Sequence, residues 1–309
     1  MTTPSSNAAA AIPYDDLREW LSYAERLGEV RIVRGANADE DIGLAAEAVL
    51  RAENGPCVVF EDIQGCPKGF RLLLNVFAGK RRNMTLGLPE ELTKWGLSEA
   101  YRQAYLTESR IVPHEIVEDG PIFENVMMGD DVDVLKFPAP IWHEKDGGPY
   151  IGSGSIVIMR DPDGGWINAS IYRVQVHGPN RVTVQFDHLG RHGAIIAKKY
   201  WDRGEACPLA VVNGEDPALF IAGFEYLPTG VSEYDFAGAI KGAPIEVFAG
   251  PETGLPLPAR AEIILEGRLL PMSEMTLPEG PFGEFTGYYA ADKRPAPVME
   301  VTAVYHRNN

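Results

Sequence analysis

The feature that most constrains the fold is a change of pattern near residue 125. Before it, helical spacing of apolar residues alternates with short apolar runs, which predicts alternating helices and strands. Residues 126–150 are irregular and rich in Asp and Pro. From Ile151 onward, β-rich runs separated by turn residues predict an antiparallel meander. We therefore expect a mixed α+β chain with an N-terminal α/β domain over 1–125 and a second domain over 126–309.

Local patterns place the elements of the first domain. Gly28 follows an apolar helical repeat and is expected to cap that helix. The basic run at residues 80–82 is expected to be the solvated start of another helix. Helices are predicted over 17–27, 42–52 and 90–105, and strands over 30–33, 57–60 and 72–77.

The second domain is predicted to be a split β-barrel-like domain with inserted helices. Turns such as Asp161-Pro-Asp-Gly-Gly165 separate its first strands. Strands are predicted over 151–160, 166–177, 182–186, 245–248, 261–270 and 298–305, and helices over 192–202, 217–224 and 233–240.

Charge and composition exclude several classes of function. A formal net charge of −16 repels phosphate backbones, so no nucleic-acid partner is expected. No apolar run approaches the roughly 20 residues that span a bilayer, so no membrane partner is expected. Three cysteines form no metal-type cluster and fit a reducing cytoplasm. A carboxylate ligand would need a local cation in so acidic a chain.

Two carboxylates lie close together near the end of the chain, in Pro278-Glu-Gly-Pro-Phe-Gly-Glu-Phe-Thr-Gly-Tyr-Tyr289. Glycine permits positive φ and proline fixes φ, so Glu279 and Glu284 are expected on one sharply bent loop. Two acids in different environments can divide the work of an ionised and a protonated group. A solvated turn with a Glu at each end is the alternative.

Strand alternation gives candidate partners for these acids. Asn168, Ser170 and Tyr172 are expected on one face of the 166–177 strand, with Ile171 and Arg173 on the other. An arginine that shares the face of Ile171 is expected to be at least half-buried and to bind a carboxylate, which Glu279 or Glu284 could supply. An arginine in water on an edge strand is the equal alternative.

Several side chains could bind a metal ion. His188 and His192 have the spacing of two ligands on one helix face, although structural histidines are more common. Glu233 follows Ser232, a helix cap, and is otherwise expected to be an ordinary first-turn acid. A set such as Asn168, His192 and Glu233 would suit Mn²⁺ or Mg²⁺, but spacing alone does not bring it together.

These stretches resemble the UbiD family of reversible decarboxylases, which use prenylated flavin mononucleotide (prenylated FMN). The similarity covers most of the 309 residues and is weaker in the first hundred. The matching motifs are Trp166-Ile-Asn-Ala-Ser-Ile-Tyr-Arg173, Arg191-His-Gly193, Gly230-Val-Ser-Glu-Tyr-Asp-Phe-Ala-Gly-Ala-Ile-Lys-Gly242 and Glu279-Gly-Pro-Phe-Gly-Glu-Phe-Thr-Gly-Tyr-Tyr289.

The resemblance implies a role for each matching residue. Arg173, Glu279 and Glu284 correspond to a catalytic network in which Arg173 binds the substrate carboxylate and Glu284 is the general acid. Asn168, His192 and Glu233 correspond to ligands of Mn²⁺ (or Mg²⁺), and backbone oxygens near Trp166 and Ala222 to a K⁺ site. The residues implied to bind the cofactor are Asn168, Ser170, Ile171, Tyr172, Arg173, Arg191, His192 and Glu233.

The resemblance also implies partners and a further region. The substrate would be an aromatic or α,β-unsaturated carboxylic acid, and a flavin prenyltransferase would supply the cofactor. Family members carry a C-terminal domain that mediates oligomerisation, and we expect it to be absent after Asn309. A homo-oligomer is expected for the full-length form. His188 and Arg191 either line a polar substrate pocket or have structural roles.

Two other functions stay open at this point. The chain could be a non-catalytic flavin- and metal-binding module, or a subunit of a larger carboxylase. A metal hydrolase that uses Glu284 as a base is the weaker alternative.

Overall fold

A computed structural model describes residues 12–106, 111–186 and 188–308, a mixed α+β fold. The helices in these ranges are α1 (Leu17–Arg26), α2 (Asp41–Arg51), α3 (Gly79–Thr85), α4 (Lys94–Tyr101), α5 (His192–Trp201), α6 (Pro217–Ala222) and α7 (Glu233–Lys241). A π-helix (Arg102–Leu106) continues α4, and 3₁₀ turns cover Pro121–Glu124, Gly129–Asp131 and Val134–Lys136.

The strands form three sheets among the described residues. They are β1 (Val30–Arg34), β2 (Cys57–Glu61), β3 (Leu72–Leu74), β4 (Glu115–Ile116), β5 (Asn125–Met128), β6 (Tyr150–Gly152), β7 (Ile156–Arg160), β8 (Ile167–Ile171), β9 (Arg173–Gly178), β10 (Arg181–Gln185), β11 (Cys207–Asn213), β12 (Glu246–Ala249), β13 (Pro256–Pro258), β14 (Ile263–Leu269), β15 (Thr276–Glu279) and β16 (Arg294–His306).

A small N-terminal sheet has the order β1-β2-β3, with β1 parallel and β3 antiparallel to β2. Strand β2 is buried on both faces, which explains its continuous apolar run. Val59 shares a core with Trp20 of α1, and Phe60 shares another with Ile42 of α2. The two helices therefore pack on opposite faces of this sheet.

The large sheet has the order β6-β9-β10-β16-β14-β11-β7-β8, and β5 and β15 also pair with β16. Strands β8 and β9 are separated in the chain by one residue, Tyr172, yet β8 ends this order and β9 lies beside its other end. A single residue can join them only if the sheet curls until its two ends meet. The sheet is thus a curled half-barrel.

Alternating side chains of the curled sheet fill two cores. In β7, Val157 and Met159 join a core built from β9, β10, β16 and α5. Ile156 and Ile158 join the other core, which includes residues of α6 and α7. Burial on both faces holds α5, α6 and α7 against the sheet and positions their ends around β8.

Residues before 125 also contribute to the second core. Leu97 of α4 and Ile122 pack in the same cluster as Ile158. Strand β4 pairs in parallel with β12 from the later half. The division of the chain into domains at residue 125 stays a prediction. In the described part of the chain, no helix is both long and apolar enough to cross a bilayer.

Most helices and strands lie where the sequence predicts them. Helix α1 ends at Arg26, and Gly28 takes φ +72° two residues later, as expected for a glycine that terminates a helix. Strand β3 is shorter than predicted because Asn75 takes φ +60° directly after it. The sequence analysis predicts no strand over the residues of β11, although β11 lies inside the large sheet, between β14 and β7.

The prediction of one strand over 166–177 is wrong, because the chain leaves β8 and enters β9 at Tyr172. The prediction over 151–160 is also wrong in its middle, where residues 153–155 separate β6 from β7. The last of them, Ser155, donates to the Tyr172 carbonyl at 3.3 Å. Both interruptions occur where the curled sheet closes. Local residue patterns do not show where the sheet closes, because closure depends on tertiary structure.

The expected solvated basic helix start is wrong for Arg81, which is fully buried in α3. Its guanidinium binds the Glu29 carboxylate at 2.5 Å and the carbonyls of Gly55 and Asn75 at 2.7 and 3.0 Å. Because these acceptors surround it, Arg81 ties α3 to the N-terminal sheet. Lys80 is exposed, as predicted.

Candidate active site

Residues 279–289, the acid loop, leave the large sheet at the end of β15. Gly280 takes φ +81°, and the Glu284 amide donates to the Tyr288 carbonyl at 2.8 Å. The Glu279 side chain is fully buried, whereas that of Glu284 is 31% exposed. The loop is therefore bent as expected, and it places its two carboxylates in different environments.

Arg173, the first residue of β9, lies between these two carboxylates. Its Nε and Nη2 donate to the two oxygens of Glu279 at 2.8 and 3.0 Å. Its Nη1 lies 3.9 Å from Glu284 Oε1. The guanidinium also lies 5.3 Å from the centre of the Phe282 ring. The structure thus brings together the three residues of the expected network.

The geometry of the Arg173 pair fixes the guanidinium plane. A two-bond arginine–carboxylate pair is both stronger and more directional than a single contact. The Arg173 side chain is 15% exposed, and Glu279 is inaccessible to water. Removing either partner would leave the other as a buried charge without a counter-charge. Loss of either side chain should therefore destabilise the protein.

A second polar cluster surrounds Glu233 at the start of α7. Ser232 caps this helix through the Tyr234 amide, as expected, but Glu233 is buried. The amide of Asn168 donates to Glu233 Oε1 at 2.7 Å, and the Ser170 hydroxyl donates to the same oxygen at 3.0 Å. Burial raises the pKa of Glu233, and these hydrogen bonds oppose that effect.

One buried oxygen in this cluster lacks a hydrogen-bond partner. Asn168 is fully buried, and its Oδ1 has none within the described residues. An unsatisfied buried acceptor costs about 1–3 kcal/mol. A cation would satisfy it, and a neighbouring carboxylate makes the site suitable for a hard divalent ion. The residues present therefore fit the expected metal.

His192, the first residue of α5, contacts Trp166, which is next to this cluster in the chain. Its ring packs edge-on against Trp166 at 4.8 Å and stacks on Tyr226 at 5.6 Å. Trp166 directly precedes β8, which carries Asn168. Burial and the nearby Arg191 lower the pKa of His192. A neutral imidazole is the form that binds metal ions.

Arg191 and Tyr172 connect the two clusters. The Arg191 guanidinium donates to the Ile171 carbonyl at 3.2 Å and lies 5.1 Å from the centre of the Tyr172 ring. The Tyr172 hydroxyl accepts from the Gly193 amide at 3.0 Å. These contacts place the N-terminal end of α5 over the junction of β8 and β9.

The two backbone oxygens expected at a K⁺ site each accept one hydrogen bond. The Trp166 carbonyl accepts from the Asp161 amide at 2.8 Å, and the Ala222 carbonyl accepts from the Glu225 amide at 3.0 Å. A carbonyl oxygen has two lone pairs, so each can accept a further contact. The K⁺ site stays a prediction.

The spacing of His188 and His192 does not produce a pair of ligands on one helix face. Helix α5 begins at His192, and His188 lies exposed before it. The His188 ring accepts from the amide of Gly190 at 3.2 Å. Across the residues that the structure describes, no three His, Cys, Asp or Glu side chains form a metal-binding group.

Sequence reasoning missed several side chains that contact the acid loop, among them Tyr150 and Asp146. Tyr150 donates its hydroxyl to Glu279 Oε1 at 2.8 Å. Asp146 accepts from the amide of Gly283 at 2.8 Å. Both lie in residues 126–150, which the sequence predicts to be irregular. The Gly147-Gly148 pair in that stretch, typical of close backbone approach, is the signal that could have indicated it.

A family model matches residues 115–309, more than half of the chain: the UbiD 3-octaprenyl-4-hydroxybenzoate carboxy-lyase Rift-related domain. The chain belongs to the UbiD family. Its curled half-barrel sheet with packed helices is the fold of that family's solved structures.

Two named relatives are similar along nearly the whole chain. Pyrrole-2-carboxylic acid decarboxylase of Pseudomonas aeruginosa is 33% identical over 307 residues, covering 95% of this chain and 60% of the relative. Phenolic acid decarboxylase of Streptomyces sp. (strain D7) is 34% identical over 304 residues, covering 96% and 62%. The chain thus spans about three-fifths of the length of each.

Two solved structures are also similar. The closed form of vanillic acid decarboxylase from Sedimentibacter hydroxybenzoicus has a TM-score of 0.87 and 28% identity, covering 95% of this chain and 62% of that one. An evolved dimeric form of the UbiD-class enzyme HmfF from Pelotomaculum thermopropionicum, in complex with prenylated FMN, has a TM-score of 0.84 and 32% identity, covering 96% and 66%.

The buried Arg173–Glu279 pair predicts a large loss of stability in Glu279→Gln. This variant leaves Arg173 without its carboxylate, so the free energy of unfolding should fall by about 3 kcal/mol. Glu284→Gln is the matched control, because its longer contact to Arg173 is more exposed and should change stability by less than about 1 kcal/mol. Urea unfolding measures both, and equal losses would contradict the assignment.

Proposed function

We propose that the protein catalyses reversible, non-oxidative decarboxylation of an aromatic or α,β-unsaturated carboxylic acid with prenylated FMN. The observation that carries this proposal is the arrangement of Arg173 between buried Glu279 and more accessible Glu284. The relatives named as decarboxylases of pyrrole-2-carboxylic and phenolic acids support the substrate class. The solved structure with bound prenylated FMN supports the cofactor.

Arg173 would bind the carboxylate of the substrate. In a chain with a net charge of −16, an anionic substrate needs a fixed local cation, and Glu279 holds this guanidinium in one plane. Two of the N–H donors of Arg173 already bind Glu279. Arg173 would therefore orient the carboxylate of the substrate without binding it so tightly that CO₂ could not leave.

Glu284 would donate the proton that replaces CO₂ on the product carbon. Its side chain is partly exposed and lies 3.9 Å from Arg173, so it can exchange protons with solvent and reach the same bound substrate. In the carboxylation direction the same carboxylate would accept that proton. Glu279 is buried and takes both hydrogen bonds from Arg173, so it suits a positioning role instead.

Prenylated FMN would supply the electron sink that stabilises the carbanion equivalent formed when CO₂ leaves. The residues available to hold it line the junction of β8, β9 and α5. Ser170, Ile171, Tyr172, Arg173 and Arg191 are the proposed cofactor contacts, together with the metal ligands. A flavin prenyltransferase would supply the cofactor, and the full-length protein would act as a homo-oligomer.

Asn168, His192 and Glu233 would hold Mn²⁺ or Mg²⁺, which would neutralise the flavin phosphate in this acidic protein. The unsatisfied Asn168 Oδ1 supports this assignment. The carbonyls of Trp166 and Ala222 would contribute to a K⁺ site beside it.

The decarboxylase proposal predicts release of CO₂ from an aromatic acid. Protein produced together with a flavin prenyltransferase should convert pyrrole-2-carboxylic acid or vanillic acid and incorporate solvent deuterium into the product. Glu284→Gln should lower kcat by at least about 100-fold, because it removes the proton donor. Liquid chromatography with mass spectrometry measures product and deuterium together.

Glu274→Gln is the control for this variant, since Glu274 is an exposed glutamate in the turn before β15. Its kcat should equal that of the wild type. Undiminished turnover in Glu284→Gln would overturn the role of Glu284. Flavin binding without conversion of any aromatic or unsaturated acid would overturn the proposed function.

The metal assignment predicts that Mn²⁺ stabilises the protein through Asn168. At 100 times its dissociation constant, the ion should add about 2.7 kcal/mol to the free energy of unfolding. Asn168→Leu should abolish that increase because it removes the ligand oxygen. Thermal unfolding with and without MnCl₂ measures the effect.

Asn213→Leu is the matched control, because Asn213 is also an asparagine with an unpartnered buried amide atom, at the end of β11. This variant should keep the Mn²⁺ effect. Equal stabilisation of the wild type and Asn168→Leu would rule out Asn168 as a ligand.

A further inference from the structure

The acid loop rests on residues 142–150, which we call the brace. The Gly147 amide donates to the Pro281 carbonyl at 2.8 Å. The Gly283 amide donates to Asp146 Oδ1, and the Tyr150 hydroxyl donates to Glu279 Oε1, both at 2.8 Å. The brace thus contacts the loop at its beginning and again one residue before Glu284.

The brace and the loop pack too closely for extra atoms. A Cβ on Gly147 would lie 2.0 Å from the Gly280 carbonyl oxygen, and a Cβ on Gly283 would lie 2.3 Å from the His143 ring. His143 in turn contacts Glu47 of α2 at 3.2 Å. The brace therefore restricts the position of the loop, together with Gln175, which accepts from the Gly280 amide at 3.1 Å. Through Glu47 the brace is connected to α2, which packs on the N-terminal sheet.

We propose that Tyr150 and Asp146 are positioning residues for the decarboxylation chemistry: Tyr150 fixes the Glu279 carboxylate, and Asp146 fixes the backbone that carries Glu284. This inference rests on the proposed function for its kinetic consequences. Its structural part, that these two side chains hold the acid loop, stands on the contacts themselves.

Tyr150 acts on Arg173 through Glu279. Glu279 Oε1 accepts from both the Tyr150 hydroxyl and Arg173 Nε, so the carboxylate cannot rotate without losing one of two short bonds. Tyr150 is almost fully buried, and burial raises its pKa, so the phenol remains a donor at neutral pH. Its hydroxyl therefore helps to define the direction in which Arg173 presents its guanidinium.

Asp146 acts on Glu284 through the main chain. The Asp146 side chain is fully buried, and its Oδ2 accepts from the amides of Trp142 and His143 at 3.1 and 3.0 Å. Its Oδ1 accepts from Gly283, the residue before Glu284. One carboxylate thus joins the first turn of the brace to the part of the loop that carries the proton donor.

The two residues predict different kinetic signatures. Tyr150→Phe should raise KM about tenfold with kcat within about twofold, because it loosens the group that binds the substrate carboxylate. Asp146→Asn replaces an acceptor oxygen with a donor that faces backbone amides. It should lower kcat about tenfold with KM nearly unchanged, because it displaces the proton donor.

The experiment combines kinetics with amide hydrogen exchange in the full chain. Turnover of pyrrole-2-carboxylic acid and vanillic acid is measured for each variant, and exchange is followed in peptides covering residues 279–289. Both variants should exchange these amides at least about tenfold faster than the wild type, while circular dichroism confirms that they are folded.

Tyr305→Phe is the matched control for Tyr150. Tyr305 is also buried and donates to a buried carboxylate, Glu266 Oε2, at 2.8 Å. Arg294 of β16 is the pairing partner of Glu279, and Tyr305 lies eleven residues further along β16. Eleven residues of extended strand span about 35 Å. Loss of the Tyr305 hydroxyl should lower the melting temperature but change neither KM, kcat nor exchange in the acid loop.

Wild-type exchange rates in the acid loop of both variants would overturn the inference, as would equal changes of KM and kcat in all three variants. If the wild type converts neither acid, the proposed function is what fails for those substrates. The exchange rates still decide whether Tyr150 and Asp146 hold the loop.

Discussion

The buried pair of Arg173 and Glu279 is the interaction on which the site depends. The Glu279 side chain is fully buried, so its charge is tolerable only because Arg173 and Tyr150 donate to its oxygens. The pair joins the start of β9 to the end of β15, segments 106 residues apart in the chain. Forming it brings the acid loop to the place where the curled sheet closes.

Closure of the sheet explains why the proposed metal site and the proposed catalytic network are neighbours. Strand β8 carries Asn168 and Ser170 towards Glu233, and one residue later β9 begins with Arg173. Tyr172 occupies the junction, where it accepts from Gly193 at the start of α5. The short connection therefore brings two of the residues of the proposed metal site and Arg173 to the same junction.

The sequence predicts the parts of the site that follow local rules. Strand alternation correctly places Asn168 and Ser170 on one face, and glycine and proline indicate the bent acid loop. The interruption at Tyr172 was not predictable, because neighbouring residue types do not show where a strand changes partners. Tyr150 and Asp146 were missed because they contact residues 129 and 137 positions away. The family resemblance identified the expected site residues, and only tertiary structure shows what holds them.

The most direct test of this account is a double-mutant cycle on the free energy of unfolding with Arg173→Met and Glu279→Gln. If the two side chains form one buried unit, each single variant leaves an unpaired polar group, and the double variant recovers much of the loss. We expect a coupling energy of about 2 kcal/mol or more. Additive losses, with a coupling below about 0.5 kcal/mol, would contradict the claim that this pair organises the site.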